Sequence, residues 1–196
     1  MDLHLMEAAP TAEERSAVDE LLGPPEIGRE GGHQRTGRDL RVVRGGHEAG
    51  ERRHLLLPAL HALQARAGWI SRGGLNYVCQ RLSVPPAEAY GVATFYAMFS
   101  VEERPRSVVH VCDDLACRGQ GGLGLCEELG RDVGPEGVDA GGWTWHRSPC
   151  LGMCEQAPAV FAQRAGRSEV ALGGADRATV DAIVAPDFSV TCSVGL

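Results

Sequence analysis

The sequence has no long hydrophobic run and no excess of basic residues. None of its apolar segments approaches the roughly 20 residues that a membrane-spanning helix requires, so we expect no direct insertion into a membrane. The 26 acidic residues outnumber the 19 basic ones and give a formal net charge of −7. A nucleic-acid-binding protein is therefore not expected, because such proteins carry a basic stripe. Lysine is absent, and we attribute this chain-wide absence to coding bias because an active site would not explain it.

Export and organelle-targeting signals are also lacking at the N-terminus. The first residues provide neither the basic n-region nor the long apolar h-region of a secretory signal. Transit peptides are poor in acidic residues, whereas this segment contains four of them, Glu13, Glu14, Asp19 and Glu20. The sequence therefore predicts a cytoplasmic protein.

The chain has seven cysteines, and an odd number excludes a complete set of internal disulfides. Disulfides are also rare in cytosolic proteins. The cysteines are therefore expected to be reduced thiols or metal ligands.

The N-terminal segment predicts one short helix. Thr11 and Glu14 have the spacing of a capping box, and Gly23 stops the apolar pattern that follows them. Residues 27–53 are rich in glycine, arginine and glutamate and show little periodicity. We therefore interpret residues 1–53 as a short helix plus a mobile linker.

Residues 54–104 predict a small helical bundle, because apolar residues recur at helical spacing in three segments. The first segment ends at Gly68. The third opens at Pro85 and Pro86 and is expected to run through Phe99. Its aromatic residues are interpreted as core or interface positions, not as a cofactor cradle.

Residues 105–186 follow a different pattern, in which short apolar strands alternate with helices. Strands are expected at Val108–Val111, Trp143–His146, Ala159–Ala162 and Val170–Leu172, and helices at Leu123–Leu129 and Arg177–Val184. The order β-α-β-β-β-α predicts a thioredoxin-like α/β domain whose first two strands are parallel. Residues 187–196 form a C-terminal tail. The predicted fold class is α+β, an N-terminal helical bundle followed by the thioredoxin-like domain.

Four cysteines form two close pairs, each where a predicted strand ends: Cys112 with Cys117, and Cys150 with Cys154. Two strand-end loops with two thiolates each make a pocket that suits a binuclear iron–sulfur cluster, in which each iron takes two protein sulfurs. Zinc also takes four thiolates, although its sites commonly use two-residue gaps. A thioredoxin-type dithiol needs Cys-x-x-Cys at a helix N-terminus, and neither pair has that spacing. Spacing alone favours the cluster and leaves zinc and redox thiols open.

A glycine-rich segment after the first pair, Gly119–Gly124, has the form G-x-G-x-x-G. A dinucleotide fingerprint must follow its strand directly and open a helix, whereas here the Cys112–Cys117 segment intervenes. We therefore disfavour nucleotide binding and expect a flexible loop that lets the backbone pass near the metal. Gly152 has the same expected role, because backbone N–H groups aimed at sulfur raise the redox potential.

The remaining histidines and cysteines near these segments are expected to be structural. His110 and His146 flank the four cysteines, but four thiolates already complete a cluster, so we interpret both as strand residues. Cys79, Cys126 and Cys192 have no partner at ligand spacing. The first two lie on apparent helix faces and are expected in the core.

Charged residues beside the first cysteine pair are expected to tune a bound cluster. Asp113 and Asp114 disfavour addition of an electron and should lower its potential, whereas Arg118 acts in the opposite sense. The alternative interpretation is that the two carboxylates are simply solvated at a strand end.

Three segments together resemble a known family: Tyr90–Tyr96, Cys112–Cys117, and Cys150–Cys154 with the Ala-Pro step that follows. They are similar to the E-type subunit of bacterial NADH:quinone oxidoreductase, the thioredoxin-like [2Fe–2S] ferredoxin of respiratory complex I. The same kind of subunit occurs as the gamma subunit of NAD-dependent formate dehydrogenases and in NAD-linked hydrogenases. The resemblance covers about residues 54–186.

The resemblance implies that Cys112, Cys117, Cys150 and Cys154 ligate a [2Fe–2S] cluster in a ferredoxin domain. It also implies docking onto a larger flavoprotein subunit that carries FMN and binds NAD(H). The chain would then be a one-electron carrier of an NADH dehydrogenase complex, not catalytic alone, and would reach the inner face of the membrane only through that complex. A gamma-type subunit of a formate dehydrogenase or hydrogenase, and a zinc-stabilised scaffold, are the alternatives.

Overall fold

The structure is a computed structural model that describes residues 7–25, 52–185 and Phe188. The predicted linker at 27–53 lies outside the described residues except for its last two positions. The predicted tail at 187–196 lies outside them except for Phe188. Among the described residues, no helix has both the length and the apolar character needed to cross a membrane.

The chain divides into two compact units, Met1–Glu103 and Arg104–Leu196. The described part of the first unit is helical, as the sequence predicts. Its elements are α1 (Ala12–Leu22), a 3₁₀ turn (Arg53–Leu55), α2 (Leu56–Ala67), α3 (Arg72–Leu82) and α4 (Pro86–Phe95).

Helix α1 begins at the predicted capping box. The Thr11 hydroxyl accepts a hydrogen bond from the Glu14 N–H at 3.2 Å, and the Glu14 carboxylate accepts one from the Thr11 N–H at 2.7 Å. These bonds satisfy two of the backbone donors that a helix start leaves without partners. The helix ends where Gly23 takes a positive φ of 77°.

The first unit has an apolar core with one buried ion pair. Leu63 is fully buried, and a Cβ on Gly73 would lie 2.1 Å from the carbonyl oxygen of Ala9, so α3 begins directly against the segment before α1. The guanidinium of Arg81 is buried and donates to the Asp19 carboxylate. This pair fixes α3 to α1, because removing either partner would leave an uncompensated buried charge.

Helix α4 ends at Phe95, so the prediction that it runs through Phe99 is wrong at its C-terminal end. The cause is the buried side-chain amide of Gln64 on α2. Its nitrogen donates to the Met98 carbonyl, and its oxygen accepts from the Ser100 N–H at 2.8 Å. These tertiary hydrogen bonds take backbone groups that a longer helix would have used for itself.

The aromatic residues of this segment are divided between the core and the surface. Phe99 is 9% exposed and packs in the core. Phe95 is 80% exposed, and Tyr90 and Tyr96 are also exposed. The interpretation of these aromatic residues as core positions therefore applies to Phe99 but not to the other three.

The second unit is a four-stranded sheet with helices, as predicted. Its elements are β1 (Ser107–Cys112), α5 (Leu115–Gly119), α6 (Gly122–Asp132), β2 (Trp143–Ser148), a 3₁₀ turn (Cys154–Gln156), β3 (Val160–Arg164), β4 (Val170–Leu172) and α7 (Arg177–Val184). The strand order is β2-β1-β3-β4. β1 and β2 are parallel, which confirms the prediction, and the other two pairings are antiparallel.

One face of this sheet forms a core with α6 and α7. Val109 and Val111 project to the same side of β1, since side chains alternate along a strand. They belong to one buried cluster with Leu129 of α6 and Ile183 of α7. The sheet is therefore anchored on this side, and its strand ends are free to carry other side chains.

Candidate metal centre

The two cysteine segments meet because β1 and β2 are parallel. Cys112 is the last residue of β1 and lies opposite Ser148, the last residue of β2. The Asp113 N–H donates to the Ser148 carbonyl at 3.3 Å, which extends the pairing one residue further. Cys150 follows two residues after the end of β2, so both segments start from the same edge of the sheet.

Cys117 reaches this edge through α5, a segment that was predicted to be a loop. The Asp114 carboxylate caps this helix by accepting from the Leu115 N–H at 2.8 Å. A Cβ on Gly122, the first residue of α6, would lie 2.6 Å from the Cys112 carbonyl oxygen and 2.8 Å from that of Cys117. The glycine-rich segment thus passes close to both cysteines, as expected, but it forms the ends of two helices.

Cys150 and Cys154 lie on a tight loop after β2. Their Sγ atoms are 3.4 Å apart, and the Gly152 N–H points at Cys150 Sγ, also at 3.4 Å. Gly152 adopts a φ of 77°, a conformation that residues with a Cβ rarely take. The loop returns to the sheet where the Ala159 carbonyl accepts from the Cys112 N–H at 3.0 Å.

All four cysteines line one cavity of about 200 Å³ at this edge of the sheet. Cys112 and Cys117 form its buried side, whereas Cys150 and Cys154 are exposed. Leu115, which also lines the cavity, is 85% exposed. The cavity is therefore open to solvent on one side.

Comparison with known proteins places this chain in a family. The sequence profile described as thioredoxin-like [2Fe-2S] ferredoxin matches residues 45–185, which is more than half of the chain. The chain belongs to this family. The predicted thioredoxin-like fold is thereby confirmed, and the [2Fe–2S] cluster is the cofactor that the family carries.

Curated relatives of this ferredoxin are named as the E-type subunit of NADH-quinone oxidoreductase. The one from Pseudomonas aeruginosa is 28% identical over 118 residues, which cover 59% of this chain and 71% of the relative. A relative of the same name in Rhizobium meliloti is 33% identical over 111 residues, covering 55% and 66%. For the relative in Mycobacterium tuberculosis the values are 30% over 114 residues, 57% and 45%.

A solved structure with a similar fold is the NAD+-reducing [NiFe]-hydrogenase in its air-oxidized state. It is 28% identical with a TM-score of 0.53, and the match covers 68% of this chain. Only 23% of the hydrogenase chain is covered, so the ferredoxin fold forms one part of that longer chain.

The donor set of this ferredoxin fits a [2Fe–2S] cluster. The pKa of Cys117 is raised, first by burial and then by its hydrogen bond with Cys112. The pKa of Cys154 is raised, first by its hydrogen bond with Cys150 and then by the charge of that thiolate. The thiols oppose one another's ionisation, and a cationic metal group offsets that repulsion. Within the part of the chain that the structure describes, no group of three or more His, Cys, Asp or Glu side chains is arranged to hold a single metal ion.

Charged side chains surround the first cysteine pair of the ferredoxin. The Asp113 carboxylate lies 3.2 Å from an Nη atom of Arg147 and 3.7 Å from one of Arg118. Asp114 instead caps α5. Sequence reasoning named Arg118 but missed Arg147, which lies 34 positions from Asp113 and reaches it only through the β1–β2 pairing.

Neither histidine that flanks the cysteines lines the cavity. The Nε2 atom of His110 lies 3.1 Å from the side-chain oxygen of Gln163, and burial lowers its pKa to about 4. His146 stacks on it with ring centroids 6.2 Å apart. Both are strand residues, as expected, although the structure shows that His110 is buried in a polar network.

The other cysteines within the described residues lie elsewhere. Cys79 and Cys126 are buried in the two separate cores, as predicted. Burial raises the pKa of Cys79 to about 12 and that of Cys126 to about 11, so both are neutral thiols. Cys192 lies outside the described residues.

Proposed function

We propose that this chain is the one-electron-carrier subunit of an NADH-oxidising or NAD-reducing flavoprotein complex, equivalent to the E-type subunit of NADH:quinone oxidoreductase. The observation that carries the proposal is the convergence of four cysteines, in two pairs, on one open cavity. The names of the relatives support the choice of complex. The NADH-oxidising activity would belong to the complex as a whole.

Cys112 and Cys117 would hold one iron of the cluster, and Cys150 and Cys154 the other. The paired Sγ atoms of the second loop, 3.4 Å apart, are placed to share a single iron. The bound cluster would supply a reversible one-electron change. The chain contributes ligation, a buried inner side, and a Gly152 N–H that stabilises added negative charge on Cys150 Sγ.

The open side of the cavity is the natural face for electron exchange. Two ligands are exposed there, and Leu115 presents an apolar side chain beside them. An exposed leucine next to a redox site is suited to a protein partner, because its burial on docking would be favourable. The partner would be the flavoprotein subunit that carries FMN and binds NAD(H), on the cytoplasmic side of the membrane.

Anaerobic purification with metal and sulfide analysis tests the cofactor. We expect two irons and two sulfides per chain, a visible absorption band that dithionite bleaches, and an EPR signal of the reduced protein. A colourless protein with one zinc per chain would instead support a structural scaffold.

Reduction by NADH tests the partner. We expect NADH to bleach the visible band only when the flavoprotein subunit is present, and the two subunits to co-purify. A co-purifying formate dehydrogenase or hydrogenase subunit would assign the chain to one of those complexes. Direct reduction of the isolated chain by NADH would contradict the carrier role.

A further inference from the structure

A second cavity, of about 310 Å³, lies at the opposite end of the sheet from the cysteines. It is built where β1 begins and β3 ends, and β1 separates it from the metal centre by about 17 Å at 3.4 Å per residue. Three arginines line it: Arg106, Arg164 and Arg167. The electron-carrier function uses none of these residues.

The backbone holds the three arginines together. Arg164 lies opposite Ser107 in the β1–β3 pairing, and the Ala165 N–H donates to the Arg106 carbonyl at 2.7 Å. A tight turn then brings Arg167 back, with its N–H donating to the Arg164 carbonyl at 2.9 Å. The cluster of positive charge is therefore set by strand register and a turn, and does not depend on long side chains meeting by chance.

Arg164 is the feature that points to a ligand. Its side chain belongs to a residue only 8% exposed, and among the described residues its Nε has no hydrogen-bond partner. One Nη donates to the Phe188 carbonyl at 3.2 Å. Burial, followed by the positive charge of Arg167, lowers the pKa of Arg164. A buried cation beside a second cation is costly, and a bound anion would offset that cost.

We propose that this cavity binds the phosphate group of a small phosphate-bearing molecule. Guanidinium groups present paired N–H donors that match phosphate oxygens, and three of them suit a dianion better than a single carboxylate. The opposite wall, formed by Ile183 and Val184 at the end of α7, is apolar and can accept the organic part of such a ligand. The volume lies within the range of small-molecule sites, about 300–1,000 Å³.

Calorimetric titration of the full, cluster-loaded chain tests this proposal. The probes are inorganic phosphate and phenyl phosphate, with acetate as a singly charged carboxylate and chloride added to keep ionic strength constant. We expect saturable binding of both phosphates, tighter for phenyl phosphate, and weaker binding of acetate. Arg106→Gln and Arg167→Gln, both at exposed positions, should each weaken phosphate binding about tenfold, which is the loss of one charge-assisted contact.

The matched control is Arg131→Gln, which removes the same charge from the surface of α6. It should leave phosphate binding unchanged, and none of the variants should alter the visible spectrum of the metal centre. Absence of saturable phosphate binding would overturn the proposal. An equal loss in the control variant, or acetate binding as tight as phosphate, would also overturn it, since either result means non-specific attraction of anions. These outcomes are independent of the cluster and its partner.

Discussion

Replacing Gly122 with alanine tests whether the start of α6 supports the metal centre. The new Cβ would lie 2.6 Å from the Cys112 carbonyl oxygen and 2.8 Å from that of Cys117, and both neighbours are backbone atoms that cannot rotate away. Forcing an extra methyl group into a packed site typically costs about 1–3 kcal/mol. We therefore expect Gly122→Ala to destabilise the protein by about 2 kcal/mol and to loosen the first cysteine pair.

Gly124→Ala is the matched control, because Gly124 lies two residues further along the same helix and a Cβ there meets nothing within 4 Å. Alanine is favoured over glycine in a helix by up to about 1 kcal/mol, so this change should stabilise the protein.

Urea denaturation followed by circular dichroism measures both effects. With an m-value of about 2 kcal/mol/M, Gly122→Ala lowers the midpoint by about 1 M, while Gly124→Ala raises it by at most about 0.5 M. Iron content should fall in Gly122→Ala alone. If Gly122→Ala kept the wild-type midpoint and iron content, the close approach of α6 to the two cysteines would be wrong.

Three further predictions concern the metal centre and its open side. Cys150→Ser should abolish the visible spectrum, whereas Cys126→Ser, at a buried thiol outside the cavity, should leave it largely intact. Arg147→Gln should lower the midpoint potential of the cluster, measured by EPR redox titration, because the neighbouring aspartate loses its counter-charge. A partly exposed charge contributes about 0.5–1 kcal/mol, which is about 20–45 mV for one electron. Leu115→Asp should weaken co-purification with the flavoprotein subunit while iron content stays unchanged.

Each of these predictions has a control or a contradicting result. Bleaching by Cys126→Ser would show that the ligand assignment is incorrect. Arg131→Gln removes an arginine from the other end of α6, and a potential shift as large as that of Arg147→Gln would exclude a local charge effect. Val138→Asp alters another exposed apolar residue, and equal weakening of the partner interaction by this change would mean that Leu115 has no particular role in docking.

Local chemistry in the sequence was sufficient to predict several elements. The capping box at Thr11 and Glu14 marks the start of α1, because its two hydrogen bonds join residues only three positions apart. The order of strands and helices after residue 105 also follows from local periodicity and limits the fold to few arrangements.

Other features depend on contacts that local patterns do not contain. Helix α4 ends early because Gln64, more than 30 positions away, binds the backbone after Phe95. The short helix α5 was missed because its five residues are too few to show periodicity; the cap at Asp114 was the one available signal. Arg81 is buried because Asp19 on another helix neutralises it, which its position in the sequence does not indicate.

The sequence by itself determined the ligand chemistry of this protein, since two cysteine pairs at strand ends and their surrounding motifs already predict a [2Fe–2S] ferredoxin. The tertiary structure decided where that chemistry lies: parallel pairing of β1 and β2 brings segments about 30 residues apart to one edge. It also assembled the arginine cavity, whose members are separated by nearly 60 positions. Residue identity sets what a side chain can bind, but only strand register and packing set which side chains bind together.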